Sequence, residues 1–190
     1  VMFDVPISDQ TILVQGGAGA VGHHAIQVAK ANGARVIANV SSEKKVNYAQ
    51  KAGADEVINY KTENISERIK VITDGIGVNR IIELDIATNG PTYSKVLAKH
   101  GTVILYGTSK VMANFEAADF FFKWASLKGF IVYTISDAQR KEGVVALNKM
   151  LMENSLETII ARTFTLDNIV DAHEMVGLAN HIGNVVIDLH

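Results

Sequence analysis

Short runs of apolar residues alternate with helical patterns six times over most of this 190-residue chain. The runs are rich in Val, Ile and Leu, a composition typical of strands that are buried on both faces of a sheet. Because single helical segments separate them, right-handed crossovers and a parallel arrangement are expected. The sequence therefore predicts an α/β fold with a doubly wound six-stranded parallel sheet, its strands at 11–15, 35–40, 56–60, 80–84, 102–106 and 129–134.

The segments between the strands carry signals for helix ends. Gly33 follows the first helical segment, and Pro91 suits the first turn of the helix before the fifth strand. Lys99 and His100 suit the last turn of that same helix, and a further helix is expected near 116–127. After the sixth strand we expect a longer helix and a short α+β extension, with a strand at 158–163, a helix at 166–179 and a strand at 184–189.

The composition narrows the classes of protein that are possible. Apolar residues make up 48% of the chain, and 18 basic against 20 acidic residues give a net charge of −2. A nearly neutral chain offers no broad field for nucleic acid or an anionic membrane, and no apolar run approaches the ~20 residues of a spanning helix. The absence of cysteine excludes disulfides, thiolate catalysis and cysteine-based zinc sites, and it is compatible with the expected cytoplasmic location.

A glycine-rich stretch joins the first predicted strand to the first helix. Gly17, Gly19 and Gly22 match the pattern G-x-G-x-x-G. Between a strand and a helix this pattern predicts a dinucleotide site of the Rossmann type, because glycine lets the backbone approach a pyrophosphate and the helix N-terminus presents free N–H groups. A glycine-rich turn in an unliganded α/β protein and a methyltransferase remain alternatives. A P-loop is excluded because no Gly-Lys-Ser/Thr follows.

The end of the second strand bears on which dinucleotide is bound. NAD-binding folds place Asp or Glu there, where the carboxylate binds the ribose 2′-hydroxyl. Here 39–42 contains no carboxylate, and the segment offers Ser41 and then Lys44 and Lys45. Hydroxyl and ammonium donors suit a 2′-phosphate, so the sequence favours NADP over NAD. Glu43 is expected to favour the helix N-terminus and face solvent, and the two lysines could instead form a solvated helix face.

Beyond these motifs, a family likeness is carried by the segments "VQGGAGAVGHHAIQVAK", "ARVIANVSSEKK", "KAGADEVINY" and "RIIELDIATN" and by the tail "TFTLDNIVDAHEMVGLANHIGNVVIDL". In them the chain resembles the zinc-independent quinone oxidoreductases, the zeta-crystallin type of the medium-chain dehydrogenase/reductase superfamily. The resemblance covers nearly the whole chain and keeps the order of the segments. It implies NADPH-dependent reduction of a small-molecule substrate, a quinone or an activated enone, by hydride transfer without a bound metal.

The same resemblance implies where the cofactor lies, although it identifies no catalytic residue. The expected contacts are the pyrophosphate with Ala18, Gly19, Ala20 and Val21, the 2′-phosphate with Ser41 and Lys45, the adenosine end with Tyr60, and the nicotinamide half with Tyr106 and Gly107.

The resemblance also divides the chain. Residues 1–154 correspond to the NADP-binding Rossmann domain, and 155–190 to a segment that in the family returns to an N-terminal GroES-like catalytic domain absent from this chain. Without that domain, the apolar strand at 185–187 is expected to be an unpaired edge. Two positions depart from the family. Asp85 could repel a phosphate or bond to a ribose hydroxyl, and Asn184 stands where the family often has Lys or Arg.

Two other functions remain open at this point. The chain could be a nucleotide-binding or structural module without catalysis, or part of an enoyl-thioester reductase of the same superfamily. An apolar sixth strand at 129–134 would end the sheet, and such an edge must be covered or paired. Pairing with its own copy across a two-fold axis predicts a homodimer, which the family's assembly also suggests.

Conspicuous histidines and aromatic residues have simpler interpretations. His23 is expected to be exposed on its helix, and His24 to be partly buried. Neither belongs to an i, i+4 histidine pair, so no zinc site is expected. Phe120, Trp124 and Leu127 fall on one helical face, which favours packing in the core or an interface over a stacking platform.

Overall fold

One parallel sheet organises the protein. The computed structural model describes residues 5–178 and 180–189. The strands of this sheet are β1 (Thr11–Val14), β2 (Arg35–Val40), β3 (Glu56–Asn59), β4 (Val78–Glu83), β5 (Leu97–Leu105) and β6 (Ser126–Gly129). Their order is β3-β2-β1-β4-β5-β6, and all neighbours are parallel. The predicted doubly wound, six-stranded α/β sheet is confirmed.

Helices connect these strands and flank the sheet, and a two-stranded sheet follows in the tail. The helices are α1 (Ala20–Ala31), α2 (Glu43–Lys51), α3 (Ile65–Ile72), α4 (Ile86–Asn89), α5 (Tyr93–Val96), α6 (Ala117–Lys123), α7 (Asp137–Met152) and α8 (Ile169–Gly177). The tail strands are β7 (Ile160–Thr165) and β8 (Asn184–Asp188).

The core lies on both faces of the sheet because successive strand residues point in opposite directions. Ile12 and Val14 of β1 belong to one apolar cluster, which also contains Ile26 of α1. Leu13, between them, belongs to a second cluster, together with Ile69 of α3. Removing this apolar surface from water on both faces is the main force that holds the helices against the sheet.

The fifth strand begins earlier than the sequence predicts. Lys99 and His100 lie within β5, so the prediction that they occupy the last turn of a helix is wrong. The reason is the position of Leu97. This residue is 3% exposed and pairs with Val78 of β4. The register then shifts before Arg80 pairs further along β5. Leu97 thus gains a partner in the sheet, and the preceding helix is reduced to the short segments α4 and α5.

The prediction of a sixth strand at 129–134 is also wrong, since β6 occupies Ser126–Gly129. The main-chain nitrogen of Phe130 still donates to the oxygen of Leu105, at 3.0 Å. Strand β5 ends at Leu105. The main-chain nitrogen of the next residue, Tyr106, donates to the oxygen of Glu83 in β4, on the opposite side of β5 from β6. Because no length of β5 is left to pair with, the apolar residues after Phe130 form irregular chain and a short 3₁₀ turn.

The helix expected near 116–127 ends at Lys123. Trp124 follows in a left-handed conformation with φ of 51° and is 78% exposed. Phe120 packs against the second core cluster, whereas Leu127 belongs to β6. These three residues therefore do not share one helical face, and core packing is confirmed only for Phe120.

The tail contains a second sheet of two strands. Strands β7 and β8 pair in parallel, with Thr163 opposite Val186 and Phe164 opposite Ile187. Within the described residues β8, which contains 185–187, is therefore paired with β7 on one side, and its other side remains an edge, because the sheet has only two strands. Phe164 is buried, and the guanidinium of Arg162 lies 4.6 Å from the centre of its ring.

Helix α7 stands apart from the core. None of its 16 residues, all of them described, is buried. A capping box starts the helix: Gln139 donates its main-chain N–H to the Ser136 hydroxyl, and its side chain accepts from the Ser136 nitrogen. Within the described part of the chain, no helix combines the length and the apolar character needed to cross a membrane.

Candidate functional site

A groove of about 380 Å³ opens at the carboxyl ends of β1, β2 and β4. Its walls come from the glycine segment, the ends of β2 and β3, and the residues after β4. From β1 the chain runs outward through β2 and β3, then returns to build β4, β5 and β6 on the other side. The groove therefore lies at the point where the strand order reverses, the place where sheets of this kind bind ligands.

The glycine segment forms a tight turn against the first helix. Gly16 has φ of 68°, and a Cβ atom on it would lie 2.7 Å from a methyl carbon of Leu84. The nitrogen of Gly19 donates to the oxygen of Gly16 at 2.9 Å. Gly19 is the N-cap of α1, whose first turn has no acidic residue. The positive end of the helix dipole and its first amides therefore face the groove, an arrangement that suits an anion.

Asn39 of β2 holds this segment in place. Its side-chain oxygen accepts from the Gly16 nitrogen at 2.8 Å, and its main-chain oxygen accepts from the Gly17 nitrogen at 2.9 Å. Its amide nitrogen donates to the side-chain oxygen of Gln15. Both amide side chains are buried. Sequence reasoning missed this role, since it considered position 39 only for the absence of a carboxylate.

The end of β2 places a hydroxyl and a cation in the groove. Ser41 and Lys45 both line it, and both are half-buried. Lys44 is exposed and lies outside the groove, so the two neighbouring lysines have different surroundings. Glu43, in the first turn of α2, is exposed as expected.

Tyr60 presents an aromatic ring at the end of β3. It lines the groove, and its nitrogen donates to the oxygen of Val40 at 3.1 Å. Ala18 and Gly19 also line the groove. The structure thus brings the predicted residues of the glycine turn together with those of the second and third strands.

The other predicted residues lie beside the groove. Ala20 and Val21 begin α1, directly after the lining residues. Tyr106 follows β5 and packs partly buried against the first core cluster, and burial, with a smaller effect of Glu83, raises the pKa of Tyr106 to about 12. At Gly107 a Cβ atom would collide with the main-chain oxygen of Leu84. These two residues therefore adjoin the β4 side of the groove.

Two carboxylates organise the segment after β4. Glu83 is fully buried, and one of its oxygens accepts from the Asp85 nitrogen at 2.6 Å and from the Asn89 side chain at 2.8 Å. Asp85 lines the groove, but its carboxylate is occupied by hydrogen bonds. One oxygen accepts from the main-chain nitrogen of Ser109 at 2.8 Å and from the Ser109 hydroxyl at 2.9 Å. The other oxygen accepts from the Thr88 hydroxyl at 2.7 Å. Although its partial burial acts in the opposite direction, these bonds hold the pKa of Asp85 below its usual value.

The expectation that His23 is exposed is wrong. Its side chain is 3% exposed, and neither ring nitrogen has a hydrogen-bond partner among the described residues. The tail segment after α7 contacts this side of α1: the Gln27 amide donates to the Glu157 oxygen at 2.9 Å, and His24 is 2.9 Å from the Thr158 hydroxyl. Burial, and then the charge of His24, lower the pKa of His23. His24 is partly buried, as expected.

The tail also contacts the glycine segment. The Gly183 nitrogen donates to the Ala18 oxygen at 3.3 Å, and Gly183 forms an isolated parallel bridge with Gly19. The Asn184 side chain donates to the Ile159 oxygen at 3.1 Å. Asn184 therefore binds within the tail itself, while the main chain of Gly183 reaches the edge of the groove.

The sequence model of the family described as "zinc-binding dehydrogenase" matches residues 20–148. The chain belongs to this family. The matched residues include α1, the end of β2 and the segment after β4, and so most of the walls of the groove.

Relatives of this chain include oxidoreductases. It is 28% identical to quinone oxidoreductase of Sus scrofa, over 87% of this chain and 50% of the relative. It is 29% identical to acryloyl-coenzyme A reductase of Metallosphaera sedula, over 94% of this chain and 50% of the relative. The chain thus spans about half the length of these relatives.

A solved structure of Escherichia coli quinone oxidoreductase complexed with NADPH has the same fold. It superposes with a TM-score of 0.85 at 26% identity and covers 96% of this chain and 58% of that one. The likeness confirms a Rossmann-type cofactor-domain fold of the medium-chain dehydrogenase/reductase superfamily.

The described residues of this chain do not form a zinc site, despite the family's description. The sequence has no cysteine. Across residues 5–178 and 180–189, no three His, Asp or Glu side chains are grouped so that they could hold a metal ion. We therefore assign no chemical step to zinc.

Proposed function

We propose that this chain binds NADP(H) in the groove and presents the nicotinamide for hydride transfer to a quinone or an activated enone. One observation carries the proposal. The open N-terminus of α1 lies at the switch point of the sheet, beside Ser41 and Lys45 and without a carboxylate at the end of β2. A pyrophosphate and a 2′-phosphate need these two sets of donors at neighbouring places.

The pyrophosphate contacts the glycine turn and the start of α1. Ala18 and Gly19 line the groove, and Ala20 and Val21 contribute main-chain N–H groups of the first helical turn. Such N–H groups have no acceptor within their own helix, so they are available to phosphate oxygens. Gly16 itself adds no side chain there, and a Cβ atom on it would meet a methyl carbon of Leu84.

The adenosine end lies at β2 and β3. The Ser41 hydroxyl and the Lys45 ammonium group bind the 2′-phosphate, and the ring of Tyr60 packs beside the adenosine. Tyr106 and Gly107, on the other side of β4, adjoin the nicotinamide half. Gly107 suits this role because it lies closely against Leu84, which itself lines the groove.

The cofactor supplies the chemistry of hydride transfer, and the protein supplies binding and orientation. Quinone reduction is supported by the likeness to Sus scrofa quinone oxidoreductase and to the Escherichia coli enzyme bound to NADPH. We assign no catalytic residue in this chain. The substrate approaches a nicotinamide face that a further domain covers, since the chain spans half the length of its relatives.

A specific observation favours a second candidate, reduction of an enoyl thioester. Acryloyl-coenzyme A reductase is 29% identical to this chain over 184 residues. Both candidates use the same cofactor groove and the same transfer of hydride to an electron-poor carbon. They differ in the substrate, which binds outside the groove described above.

We also propose that residues 155–190 connect the cofactor domain, residues 1–154, with a GroES-like catalytic domain. Strands β7 and β8 form a separate two-stranded sheet, which another domain can extend. The tail contacts α1 through Glu157, and it contacts the glycine turn, at the edge of the groove, through Gly183. This position suits a segment that joins a catalytic domain to the cofactor.

A homodimer through the outer edge of β6 completes the proposal. No strand among the described residues covers that edge. Apolar side chains beside it are exposed: Phe121, Phe122, Trp124, Leu127, Ile131 and Tyr133. An unpaired edge strand with exposed apolar side chains next to it in the chain is a site for pairing, and a two-fold axis would join two copies of β6 in one continuous sheet.

Titration of the chain with NADPH, followed by cofactor fluorescence with NADH as the control, tests the cofactor. We expect tighter binding of NADPH, and equal or absent binding of both would contradict the NADP proposal. Turnover is then measured in the gene product that contains this chain, with a benzoquinone and with an enoyl-coenzyme A as alternative acceptors. Binding without turnover of either acceptor would favour a non-catalytic nucleotide-binding module.

A further inference from the structure

We propose that Asn39 is the positioning residue of the phosphate site: its side chain fixes the conformation of Gly16, so that the first turn of α1 is correctly placed for a pyrophosphate. The inference rests on the proposed binding of NADP(H). It concerns a residue that belongs to neither the glycine pattern nor the donors for the 2′-phosphate.

The hydrogen bonds of β1 explain why Gly16 needs a partner from outside the ladder. The β1–β2 register ends with Val14 opposite Ala38, and the Gln15 nitrogen donates to Ile82 on the other side. At Gly16 the chain turns away with φ of 68°. Its partly buried N–H group has therefore left the sheet, and such a group must be paired elsewhere. The Asn39 side-chain oxygen supplies that acceptor at 2.8 Å.

Gly16 and Gln15 together fix the orientation of the Asn39 amide. A backbone N–H can only donate, so the Asn39 atom facing Gly16 is the oxygen. The amide NH₂ then needs an acceptor, and the side-chain oxygen of Gln15 provides it. Both side chains are almost fully buried, at 3% and 2% exposure. In such a site an unpaired polar group is costly, so the pair has one stable arrangement.

A short series of contacts carries this effect to the helix. The Gly16 oxygen accepts from the Gly19 nitrogen at 2.9 Å, and Gly19 is the N-cap of α1. A rotation of Gly16 would therefore move the N-cap and the amides that follow it. Ser41 directly follows β2 and Lys45 belongs to α2, and neither depends on Gly16 in this way. Loss of the Asn39 side chain should thus weaken the binding of the pyrophosphate and leave the binding of the 2′-phosphate unchanged.

Two ligands separate these effects in the 190-residue chain, with calorimetry as the measurement. NADPH carries both the pyrophosphate and the 2′-phosphate, whereas adenosine 2′-monophosphate carries only the latter. For Asn39→Ala we expect NADPH to bind about tenfold more weakly or worse, because a buried N–H group loses its acceptor, while the affinity for adenosine 2′-monophosphate is unchanged. As a control, Lys45→Ala should weaken both ligands. Unchanged NADPH binding by Asn39→Ala, or equal weakening of both ligands, would overturn the proposal.

Amide hydrogen exchange gives a second measurement that needs no ligand. In Asn39→Ala the Gly16 amide should exchange faster, while the Gly17 amide, which donates to the main-chain oxygen of residue 39, keeps its protection. Asn39→Asp retains an acceptor oxygen of the same reach for the Gly16 N–H, and its second oxygen accepts from the Gln15 NH₂ once that amide has flipped, so it should restore slow exchange at Gly16. It also fills the same volume, so it decides the matter if the alanine variant does not fold. Fast exchange at Gly16 in Asn39→Asp would contradict the proposal.

The two proposals can fail separately. A wild-type chain that does not bind NADPH contradicts the proposed function, whereas the exchange rate of the Gly16 amide still reports whether Asn39 fixes the turn. A wild-type chain that binds NADPH, with an Asn39→Ala variant that binds it equally well, contradicts only the role of Asn39.

Discussion

The main-chain oxygen of Gly16 occupies the place that a Cβ atom on residue 22 would need. Helix α1 therefore packs directly on the turn that precedes it, and Gly22 has no room for a side chain. The pattern G-x-G-x-x-G therefore reflects the close packing of the helix on the turn as well as the close approach of a ligand to the backbone.

Gly22→Ala should lower the free energy of unfolding by roughly 1–3 kcal/mol, since the added methyl group forces the turn and the helix apart. It should also abolish NADPH binding. Urea denaturation and cofactor titration measure the two effects. Gly143→Ala is the matched control, because a Cβ atom there meets nothing within 4 Å. It should leave stability unchanged or raise it by up to about 1 kcal/mol. Equal stabilities of the two variants would contradict the packing argument.

Lys45→Ala should raise the Kd for NADPH by about tenfold or more, because a charge-assisted contact with the 2′-phosphate is lost. The Kd for NADH should stay the same. Lys44→Ala removes the same charge one residue away, at an exposed position outside the groove, and should affect neither cofactor. A similar loss in both variants would show that only the general charge of α2 matters.

The buried His23 predicts a pH dependence of stability. Burial lowers its pKa in the folded protein below the 6.5 of an exposed histidine, with His24 adding to this effect and Glu157 opposing it. The unfolded chain therefore takes up a proton at higher pH than the folded chain does. Stability should be greatest above pH 6.5 and should fall as the pH drops from there toward the folded-state pKa.

Urea unfolding at several pH values tests this dependence. His23→Leu should flatten the profile between neutral and mildly acidic pH, since the titrating group is gone. His173→Gln, at an exposed position of α8, should keep the wild-type profile. If His23→Leu retains the full dependence, other groups cause it.

Trp124→Asn should convert the proposed dimer into a monomer while the protein stays folded. Trp124 is 78% exposed and has φ of 51°, a conformation that asparagine adopts readily. Light scattering over a range of concentrations gives the mass. Val111→Asn, at a residue that is 99% exposed, is the control and should leave the mass unchanged. A wild-type chain that is monomeric at every concentration would contradict the dimer itself.

Local patterns were enough to predict the sheet and the glycine turn. Strands such as β2 are continuous apolar runs, and the glycine spacing reflects contacts within seven residues, from Gly16 to Gly22. The strand ends were harder to place. The start of β5 depends on Leu97 finding Val78, and the end of β6 depends on where β5 stops. Such boundaries are set by the neighbouring strand. The periodicity of a segment carries no information about that neighbour.

The parts of the site that the sequence did not predict depend on distant segments. His23 is buried on the side of α1 that contacts residues 157–158, and the Gln27–Glu157 bonds span 130 positions. Asn39 pairs with Gln15 and Gly16 across 24 and 23 positions. Two amides in the right places form a buried pair only after the strands have aligned. One signal was present: a buried strand that carries an amide near its end needs a polar partner.

Helix α7 has a consequence for how the protein would respond to dilution. None of its 16 residues is buried in one chain, although Val144, Val145 and Leu151 are apolar. An isolated helix of about 12–15 residues is only marginally stable in water, so a capping box alone supports it weakly. The helicity of this segment would then depend on whatever covers it. Circular dichroism measured across concentrations would therefore register association as a gain in helix content.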